Sequence, residues 1–294
     1  MTLEQLRIFI AVAERQHVTR AAEALNLTQS AVSSAVTALE GRHGVSLFDR
    51  VGRNVVLNQA GEAFLTEARD VLARVAAAET ALDDLASLAR GRLSIWASQT
   101  IASYWLSPWL TQFHKAHPGI RLEVEIGNTA QVAKAVAAGT AELGLVEGEI
   151  DDPVLSRMVV GYDHLCLIVC PDHPWAKTGA ATPIDLTQTR WVLREPGSGT
   201  RSTFEAVLAK HGLTVADLDV AMVLPGNEVI CGAVEAGAGA TIMSRSAAAL
   251  GLLNGSLVEI AYDLPARAFH LLRHKQRYRS RAGDVFIELL TSGE

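Results

Sequence analysis

Three short segments of the chain have the composition of a binding site for a small anion: Ser98–Thr100, Gly197–Arg201 and Pro225–Glu228. Each lies between an apolar run that predicts a strand and a stretch whose spacing predicts a helix. The start of a helix presents free N–H groups and the positive end of its dipole. Serine and threonine hydroxyls add donors, glycine lets a ligand approach the backbone, and Arg201 adds a positive charge. Together these features predict a site for a small anion.

The same residues also have a purely structural explanation. The hydroxyl residues could be ordinary helix N-caps, and the glycines ordinary turn residues. Arg201 could form an ion pair with Glu195 or Glu205 instead of meeting a ligand. Gly197–Thr200 is not a nucleotide-binding P-loop, because the Lys-Ser/Thr ending of that motif is absent.

The elements that would carry these segments lie in the last two-thirds of the chain. From Arg92 onward, predicted strands alternate with predicted helices, which indicates an α/β module with a mainly parallel sheet. The predicted strands are Arg92–Ala97, Leu122–Ile126, Leu143–Val146, Leu165–Cys170, Trp191–Arg194, Val220–Leu224 and Phe269–Arg273. The predicted helices are Ile101–Ala116, Ala130–Ala138, the stretch after Gly199, Glu228–Ala236 and Asp284–Leu290. Ligands bind beyond the carboxyl ends of strands in open α/β sheets, so the three segments could meet in one cleft.

The start of the chain predicts three short helices. Apolar residues at helical spacing place the first near Leu6–Ala13. Thr19 could cap the second and Thr28 the third, with the pattern broken at Asn26–Thr28. Two short helices joined by a tight turn predict a helix-turn-helix.

The third helix begins with small polar residues, which would let it enter the major groove closely. There, side chains could offer hydrogen-bonding groups to base edges or phosphates. These side chains are Gln29, Ser30, Ser33 and Ser34. A plain helical hairpin with capping serine and threonine would produce the same pattern.

A β-hairpin is predicted next, from two short strands around a turn that contains Gly52 and Asn54. Such a hairpin is a wing, and Arg50 and Arg53 would lie at its tip. Arginines there could contact phosphates or enter a minor groove. The alternative is that both are solvated surface arginines.

A long helix without proline is predicted from Gly61 to Arg90, and Gly91 could end it. Its apolar residues are spaced alternately four and three apart, a heptad stripe. The stripe consists of Phe64, Ala68, Val71, Val75, Ala78, Leu82 and Leu85. It could form a two-chain coiled coil that places two recognition helices on a pseudo-palindromic site, or it could lie on its own domain.

The N-terminal motifs resemble those of the LysR family of transcriptional regulators. The matching segments are Leu3–Phe9, Thr19–Leu25, Ala31–Ser33, Leu39-Glu40, Gly44–Arg50 and Asn58–Gly61. Two positions depart from the family pattern. The family often has proline at position 30 and arginine or lysine at position 34, whereas this chain has Ser30 and Ser34. The absence of a cation at position 34 removes one DNA contact, so the family's operator sequence does not carry over.

The resemblance implies an all-α winged helix-turn-helix in residues 1–60, a linker and dimerisation helix in residues 61–90, and an effector-binding domain in residues 91–294. That domain would be a two-lobed α/β fold similar to periplasmic binding proteins. Lobe I would comprise residues 91–162 and 267–294, and lobe II residues 163–266, with crossovers near Gly161–His164 and Pro265–Phe269. The implied partners are double-stranded promoter DNA, RNA polymerase and further copies of the chain in a homodimer or homotetramer. The candidate DNA contacts are Arg20, Thr28, Gln29, Ser30, Ser33, Ser34, Arg50 and Arg53.

Three further phrases, Trp191–Arg201, Gly127–Thr129 and Gly144–Gly148, look like the branch of the family with regulators of sulfur assimilation, sulfite response and carbon fixation. The resemblance implies a small anionic effector, with sulfite or sulfate favoured over a small carboxylate or a phosphorylated metabolite. The candidate effector contacts are Ser98, Thr100, Glu147, Ser198, Thr200, Arg201 and Asn227. Glu147 could accept a hydrogen bond, but it would oppose a large anion.

Composition narrows the remaining classes of protein. A net charge of −6 argues against wrapping nucleic acid by bulk charge, and 5% aromatic residues disfavour a base-stacking single-strand binder. Three cysteines are too few for a disulfide framework, and no metal-ligand spacing or cofactor motif accompanies them. Neither a signal peptide nor a membrane span is predicted, so we expect a cytoplasmic protein. The rival functions are an enzyme and a solute-binding protein that would use the same α/β cleft.

Overall fold

Three short helices, a β-hairpin and one long helix follow one another at the start of the computed structural model, which describes residues 1–52, 54–86, 91–148, 150–177 and 184–292. The elements are α1 (Leu3–Arg15), α2 (Val18–Leu25), α3 (Gln29–His43), β1 (Phe48–Val51), β2 (Asn54–Leu57) and α4 (Gln59–Ala86). They form one of two compact units, Met1–Ala86 with Ala138–Thr140, whereas the other comprises Ser87–Ala137 and Ala141–Glu294.

Local capping explains where the first three helices begin. Thr2 and Gln5 form a capping box at α1, in which each backbone N–H donates to the other's side chain. Thr28 caps α3 as predicted, because its Oγ accepts from the Ala31 N–H at 3.2 Å. Thr19, however, lies inside α2. The prediction for Thr19 is wrong, since His17 is the N-cap and its Nδ1 accepts from the Arg20 N–H.

The turn between α2 and α3 and the wing both depend on backbone conformations with positive φ. Asn26 ends α2 in the left-handed region with φ 54°, which lets the chain reverse before α3. In the wing, Phe48 pairs with Leu57 and Val51 with Asn54, so Asn54 belongs to β2 and not to the turn as predicted. Gly52, with φ 64°, supplies the turn conformation. Arg53 lies outside the described residues.

Helix α4 begins two residues earlier than predicted. The Asn58 side chain accepts from the Gly61 N–H at 2.9 Å, which fixes the start of the helix. The predicted end at Gly91 stays a prediction, because residues 87–90 lie outside the described residues; Gly91 itself begins the next strand. Within the heptad stripe, Phe64 and Ala68 belong to the core under α1, whereas the side chain of Leu85 lies outside the described ones.

The second unit contains ten strands, eight α-helices and two short 3-10 helices among its described residues, which include 91–148, 150–177 and 184–292. The strands are β3 (Gly91–Ser98), β4 (Ile120–Gly127), β5 (Leu143–Glu147), β6 (Leu155–Asp163), β7 (Leu165–Val169), β8 (Arg190–Arg194), β9 (Asp219–Leu224), β10 (Thr241–Ser244), β11 (Val258–Ile260) and β12 (Arg267–His274). The α-helices are α5 (Gln99–Tyr104), α6 (Ser107–Ala116), α7 (Thr129–Ala138), α8 (Pro174–Lys177), α9 (Gly199–Lys210), α10 (Asn227–Glu235), α11 (Arg245–Asn254) and α12 (Arg281–Thr291).

These strands form two lobes. Lobe I is built on the five-stranded sheet β4-β3-β5-β12-β6, and lobe II on the sheets β10-β7-β11 and β8-β9. The sheets are mixed, and not mainly parallel as predicted, since β6 and β12 run antiparallel to their neighbours and β7 to β10 and β11. The reason is that β6 and β12 carry the chain from one lobe to the other and back.

Other departures from the predicted elements have local causes. The predicted helix Ile101–Ala116 is two helices, because Pro108 lies at the start of α6 and disfavours a continuous helix through the residues before it. Cys166 lies in buried strand β7, whereas Cys170 follows the end of that strand and is half-buried. Strands β10 and β11 and helix α11 had no counterpart in the predicted pattern.

Candidate functional site

Helix α3 presents an uncharged polar face to solvent. Val32 and Leu39 are buried on its inner side. Of the predicted DNA contacts on this helix, Gln29, Ser30 and Ser34 are exposed and Ser33 is half-buried. No charged residue occurs between Gln29 and Leu39. This face can therefore offer hydrogen bonds and methyl groups to base edges, but it brings no positive charge.

The other predicted DNA contacts lie on neighbouring elements of the same unit. Arg20 on α2 and Arg50 on β1 are exposed. Arg50 pairs with Val55, one register position from the end of the hairpin. The Oγ of Thr28 already serves as the cap of α3 and lies 3.1 Å from the Ser30 Oγ. Positive charge therefore flanks the recognition helix on α2 and on the wing.

In the second unit, the three predicted anion-binding segments come together between the lobes. The Asn227 Nδ2 donates to the Thr100 Oγ at 3.2 Å, and the Asn227 N–H donates to the Gln99 side chain at 3.0 Å. These bonds join the start of α10 in lobe II to the start of α5 in lobe I. Both Thr100 and Asn227 are buried, so the bonds are shielded from water.

A second buried network joins the lobes at the crossover strands. Arg267 on β12 donates to Asp163 on β6 at 2.8 Å and to the Thr200 Oγ at 3.0 Å. Its Nη1 also lies 3.8 Å from the Glu147 carboxylate, which in turn accepts from the Ser98 hydroxyl. One guanidinium therefore faces two buried carboxylates.

Ser198 is the exception among the predicted contacts, because its hydroxyl forms no hydrogen bond within the part of the chain that the structure describes. Its side chain is 3% exposed, and its Oγ has no hydrogen-bond partner among the described residues. The residue is the N-cap of α9, yet it makes no side-chain capping bond. Buried hydroxyls are usually satisfied, so an unpaired one at a helix N-terminus indicates a place for an external acceptor.

Arg201 is engaged elsewhere. Its Nε donates to Glu205 at 2.8 Å, and its Nη1 donates to the carbonyl of Arg194 at 3.1 Å. The structural explanation for Arg201, an ion pair with Glu205, is therefore present. The buried cations of the cleft are instead Arg194 and Arg267, neither of which the sequence pattern singled out.

Arg194 lies at the end of β8 and is held on three of its nitrogens. Its Nη1 donates to the Asn227 side chain at 2.8 Å. Its Nε and Nη2 donate to the two oxygens of Glu195 at 2.8 and 3.0 Å. Burial raises the pKa of the Glu195 carboxyl, but the Arg194 guanidinium and Asn128 outweigh this and hold the pKa below its ordinary value. Glu195 is therefore ionised at neutral pH.

A cavity of about 310 Å³ opens beside this ion pair. Both lobes line it, since Gln99 and Asn128 come from lobe I and Arg194 and Glu195 from lobe II. Elsewhere the lobes are in direct contact. A Cβ on Gly199 would lie 2.0 Å from the carbonyl oxygen of Glu147, so only glycine permits this approach. The described cleft is therefore narrow.

The cysteine thiols nearby are poorly suited to redox chemistry. Burial raises the pKa of Cys166 to about 12 and that of Cys231 to about 11. Since the thiolate is the reactive form, both stay protonated and unreactive at neutral pH. Among the described residues no cluster of His, Cys, Asp and Glu could hold a metal ion, and no helix is long and apolar enough to cross a membrane.

Comparison with protein families matches both units. Residues 3–62 match the bacterial regulatory helix-turn-helix protein of the lysR family, and residues 86–293 match the LysR substrate binding domain. The chain belongs to the LysR family of transcriptional regulators. It is a DNA-binding regulator with an effector-binding domain, and the family is one of regulators and not of enzymes.

Individual LysR relatives match over nearly the whole chain. The HTH-type transcriptional regulator YeiE of Escherichia coli (strain K12) is 33% identical over 290 residues, which cover 98% of this chain and 96% of that one. The probable RuBisCO transcriptional regulator of Guillardia theta is 33% identical over 298 residues, with 99% and 96% coverage.

Two solved structures of regulatory proteins have a similar fold. Full-length CbnR complexed with its target DNA matches with a TM-score of 0.71 at 22% identity and covers 100% of both chains. The effector-binding domain of QuiR in complex with shikimate matches with a TM-score of 0.62 at 17% identity, covering 69% of this chain and 96% of that one.

Proposed function

We propose that this LysR regulator senses a small anion bound between the lobes of its effector-binding domain. The observation that carries the proposal is the buried, unpaired hydroxyl of Ser198 at the start of α9. A helix N-terminus favours negative charge, and the hydroxyl adds a donor without a competing acceptor. Sulfite or sulfate is the leading candidate, and a small carboxylate or a phosphorylated metabolite is the alternative.

The size of the cleft supports a small effector. The cavity of about 310 Å³ lies near the lower end of the range for ligand pockets, roughly 300–1,000 Å³. Glu147 favours the same conclusion, since it is buried within 3.8 Å of Arg267 and would repel a bulky or highly charged anion. The QuiR neighbour was solved with shikimate, itself an organic anion. Among the predicted contacts, Thr100, Thr200 and Asn227 take part in bonds between the lobes, which supports a site at this junction.

The effector would act by a population shift. The bonds between Thr100 and Asn227 and between Arg267 and Thr200 hold the lobes together. An anion that binds one lobe arrangement better than another changes the proportion of the two. We propose that this shift changes how the recognition helices are disposed on promoter DNA and, through them, contact with RNA polymerase.

The DNA half of the proposal uses the exposed face of α3 for base edges and Arg20 and Arg50 for phosphates. Recognition of a pseudo-palindromic DNA site requires two copies of the chain. The outer part of the heptad stripe on α4 offers a surface through which two chains could pair. Val71 is 38% exposed and Leu82 68% exposed in a single chain. We therefore propose a homodimer formed through α4, or a homotetramer built from such dimers.

The anion site is tested by isothermal titration of the full chain with sulfite, sulfate, thiosulfate, phosphate and acetate. We expect one or more of them to bind, and Ser198→Ala to weaken that binding by about tenfold, as loss of a hydrogen bond to a charged group predicts. Ser202→Ala is the matched control, because that hydroxyl on the same helix donates to the Gly199 carbonyl. Equal affinities in both variants and the native chain would overturn the site.

The assembly is tested by sedimentation velocity of Leu82→Lys. A lysine in the stripe should convert the native oligomer to a smaller species, because it buries a charge in an apolar seam. Glu79→Lys changes charge at an exposed position on the same helix, outside the stripe, and should leave the assembly intact. An unchanged oligomer in Leu82→Lys would remove α4 as the interface.

A further inference from the structure

We propose that Glu195 is an internal anion that occupies the effector's place on Arg194 and so determines which anions the cleft accepts. The inference rests on the proposed function, because it assumes that an anion enters this cleft. It adds the position of that anion, the cation that meets it and the group that must leave.

The contact between the two side chains has the form of a ligand contact. Arg194 offers Nε and Nη2 to the two carboxylate oxygens of Glu195, at 2.8 and 3.0 Å. This paired geometry is the one in which arginine binds carboxylates and oxyanions. An effector bound by Arg194 would therefore need the same two nitrogens that Glu195 now uses.

The carboxylate also reaches across to the other lobe. The Asn128 Nδ2 in lobe I donates to the Glu195 Oε1 at 3.3 Å, so one oxygen accepts from both lobes. Asn128, Arg194 and Glu195 all line the 310 Å³ cavity. An anion in the position of this carboxylate would bridge the lobes, which is what an effector that changes their arrangement must do.

Exchange requires little movement of the protein. Glu195 begins a tight turn in which the Ser198 N–H donates to its carbonyl at 3.2 Å, with Pro196 second and Gly197 third at φ 88°. The turn fixes the backbone, but the Glu195 side chain is 22% exposed and can rotate out. Arg194 is 5% exposed and would stay in place, because Asn227 holds its Nη1.

This arrangement specifies the class of effector. A neutral ligand cannot replace a carboxylate on a buried guanidinium, because Arg194 would lose its counter-charge. A monatomic anion such as chloride offers a single acceptor atom, whereas the paired contact uses two oxygens. The cleft should therefore select carboxylates and oxyanions that offer two oxygens at once.

The chain supplies its own control in a second arginine–glutamate pair. Arg201 donates to Glu205 at 2.8 Å within helix α9, four residues apart, and Glu205 is 46% exposed. Removing Glu205 also removes one negative charge and frees one arginine. It differs from removal of Glu195 because Glu195 still occupies the Nε and Nη2 of Arg194.

The experiment is isothermal titration of sulfite, sulfate, acetate and chloride into the full native chain, Glu195→Gln and Glu205→Gln. We expect Glu195→Gln to bind the oxyanion or carboxylate at least about tenfold more tightly than the native chain, since loss of a charged competitor has the scale of a charge-assisted hydrogen bond. Glu205→Gln should keep the native affinity, and chloride should bind none of the three.

The outcomes separate this inference from the proposed function. Native affinity in Glu195→Gln, with anions still bound, would overturn the role of Glu195 and leave the anion site standing. Tighter binding in Glu205→Gln alone would also overturn it and would assign the cation to Arg201. Absence of binding by every protein would overturn the site and the inference together, whereas binding by Glu195→Gln alone would support both.

Discussion

The recognition helix and the ligand cleft present their polar groups in opposite ways. On α3, Gln29 and Ser34 are exposed to solvent, and the helix has no charged residue near them. In the cleft, Asn227 is bonded to Thr100 and Arg267 to Thr200, and all four residues are buried. The first surface is ready for a partner as it stands. The second has to exchange internal bonds for external ones.

This difference assigns the two regions different tasks. A surface that needs no rearrangement can read DNA with a fixed geometry. A site in which most groups are bonded to one another is coupled to conformation, because a ligand that replaces a bond such as that between Asn128 and Glu195 changes what holds the lobes together. Substitutions in the cleft should therefore affect the stability of the fold, whereas substitutions on the exposed face of α3 should affect DNA binding alone.

The largest effect is expected from Arg267→Met, which leaves Asp163 and Glu147 buried without their shared counter-charge. Breaking a buried ion pair by removing one partner costs about 3–5 kcal/mol of the free energy of unfolding. Urea denaturation of the effector unit measures this. Arg121→Met is the control, because that arginine is 79% exposed in its pair with Glu123 and should cost less than about 1 kcal/mol. Similar losses in both variants would refute the buried network as a stabilising contact.

A smaller effect is expected from Gly199→Ala, which places a Cβ 2.0 Å from the Glu147 carbonyl oxygen and 2.8 Å from the Thr129 Oγ. Overpacking of this kind costs about 1–3 kcal/mol and should push the lobes apart. Gly232→Ala is the matched control in helix α10, since nothing lies within 4 Å of its Cβ position. Thermal unfolding should show a lower midpoint for the first variant only.

Because the exposed face of α3 is uncharged, we expect it to affect discrimination between DNA sequences but not the salt dependence of DNA binding. Gln29→Ala should cost about 1–3 kcal/mol of discrimination between sites, yet leave the slope of log affinity against log salt unchanged. Arg50→Ala should lower that slope by about 1 and weaken all sequences alike. Fluorescence anisotropy with DNA selected from a random pool measures both quantities. A changed slope in Gln29→Ala would mean that α3 contacts phosphates and not base edges.

The smallest effect concerns pH. Burial lowers the pKa of His173 below its ordinary 6.5, so the unfolded chain binds more protons than the folded one in the interval between the two values. The contribution of His173 to stability should therefore fall as pH drops below about 6.5, and it should be fully present above that pH. His173 also accepts from the Trp175 N–H at its Nδ1, a bond that protonation would break. His173→Asn should flatten the dependence of the unfolding midpoint on pH between 5 and 7, a range that brackets the ordinary histidine pKa.

The same contrast explains what the sequence could predict. The cap at Thr28 and the three segments predicted to bind an anion follow from residues close together in the chain, and the structure confirms the cap and places the segments where the lobes meet. The cations Arg194 and Arg267 escaped notice because each also depends on a remote partner, although Arg194 pairs as well with the adjacent Glu195. Arg267 meets Asp163 across 104 residues, and Arg194 meets Asn227 across 33. Local patterns identify helix ends and turns, but they do not show which buried charges will be paired.

The most direct test of the whole account is the reciprocal coupling between DNA and anion. The affinity for selected DNA is measured with and without saturating sulfite, and the affinity for sulfite with and without DNA. We predict that both affinities change by the same factor, of the order of 5- to 150-fold, and that Ser198→Ala raises the sulfite concentration needed for the change by about tenfold. If saturating anion leaves the affinity for DNA unaltered while still binding the cleft, the proposed link between the two regions is wrong.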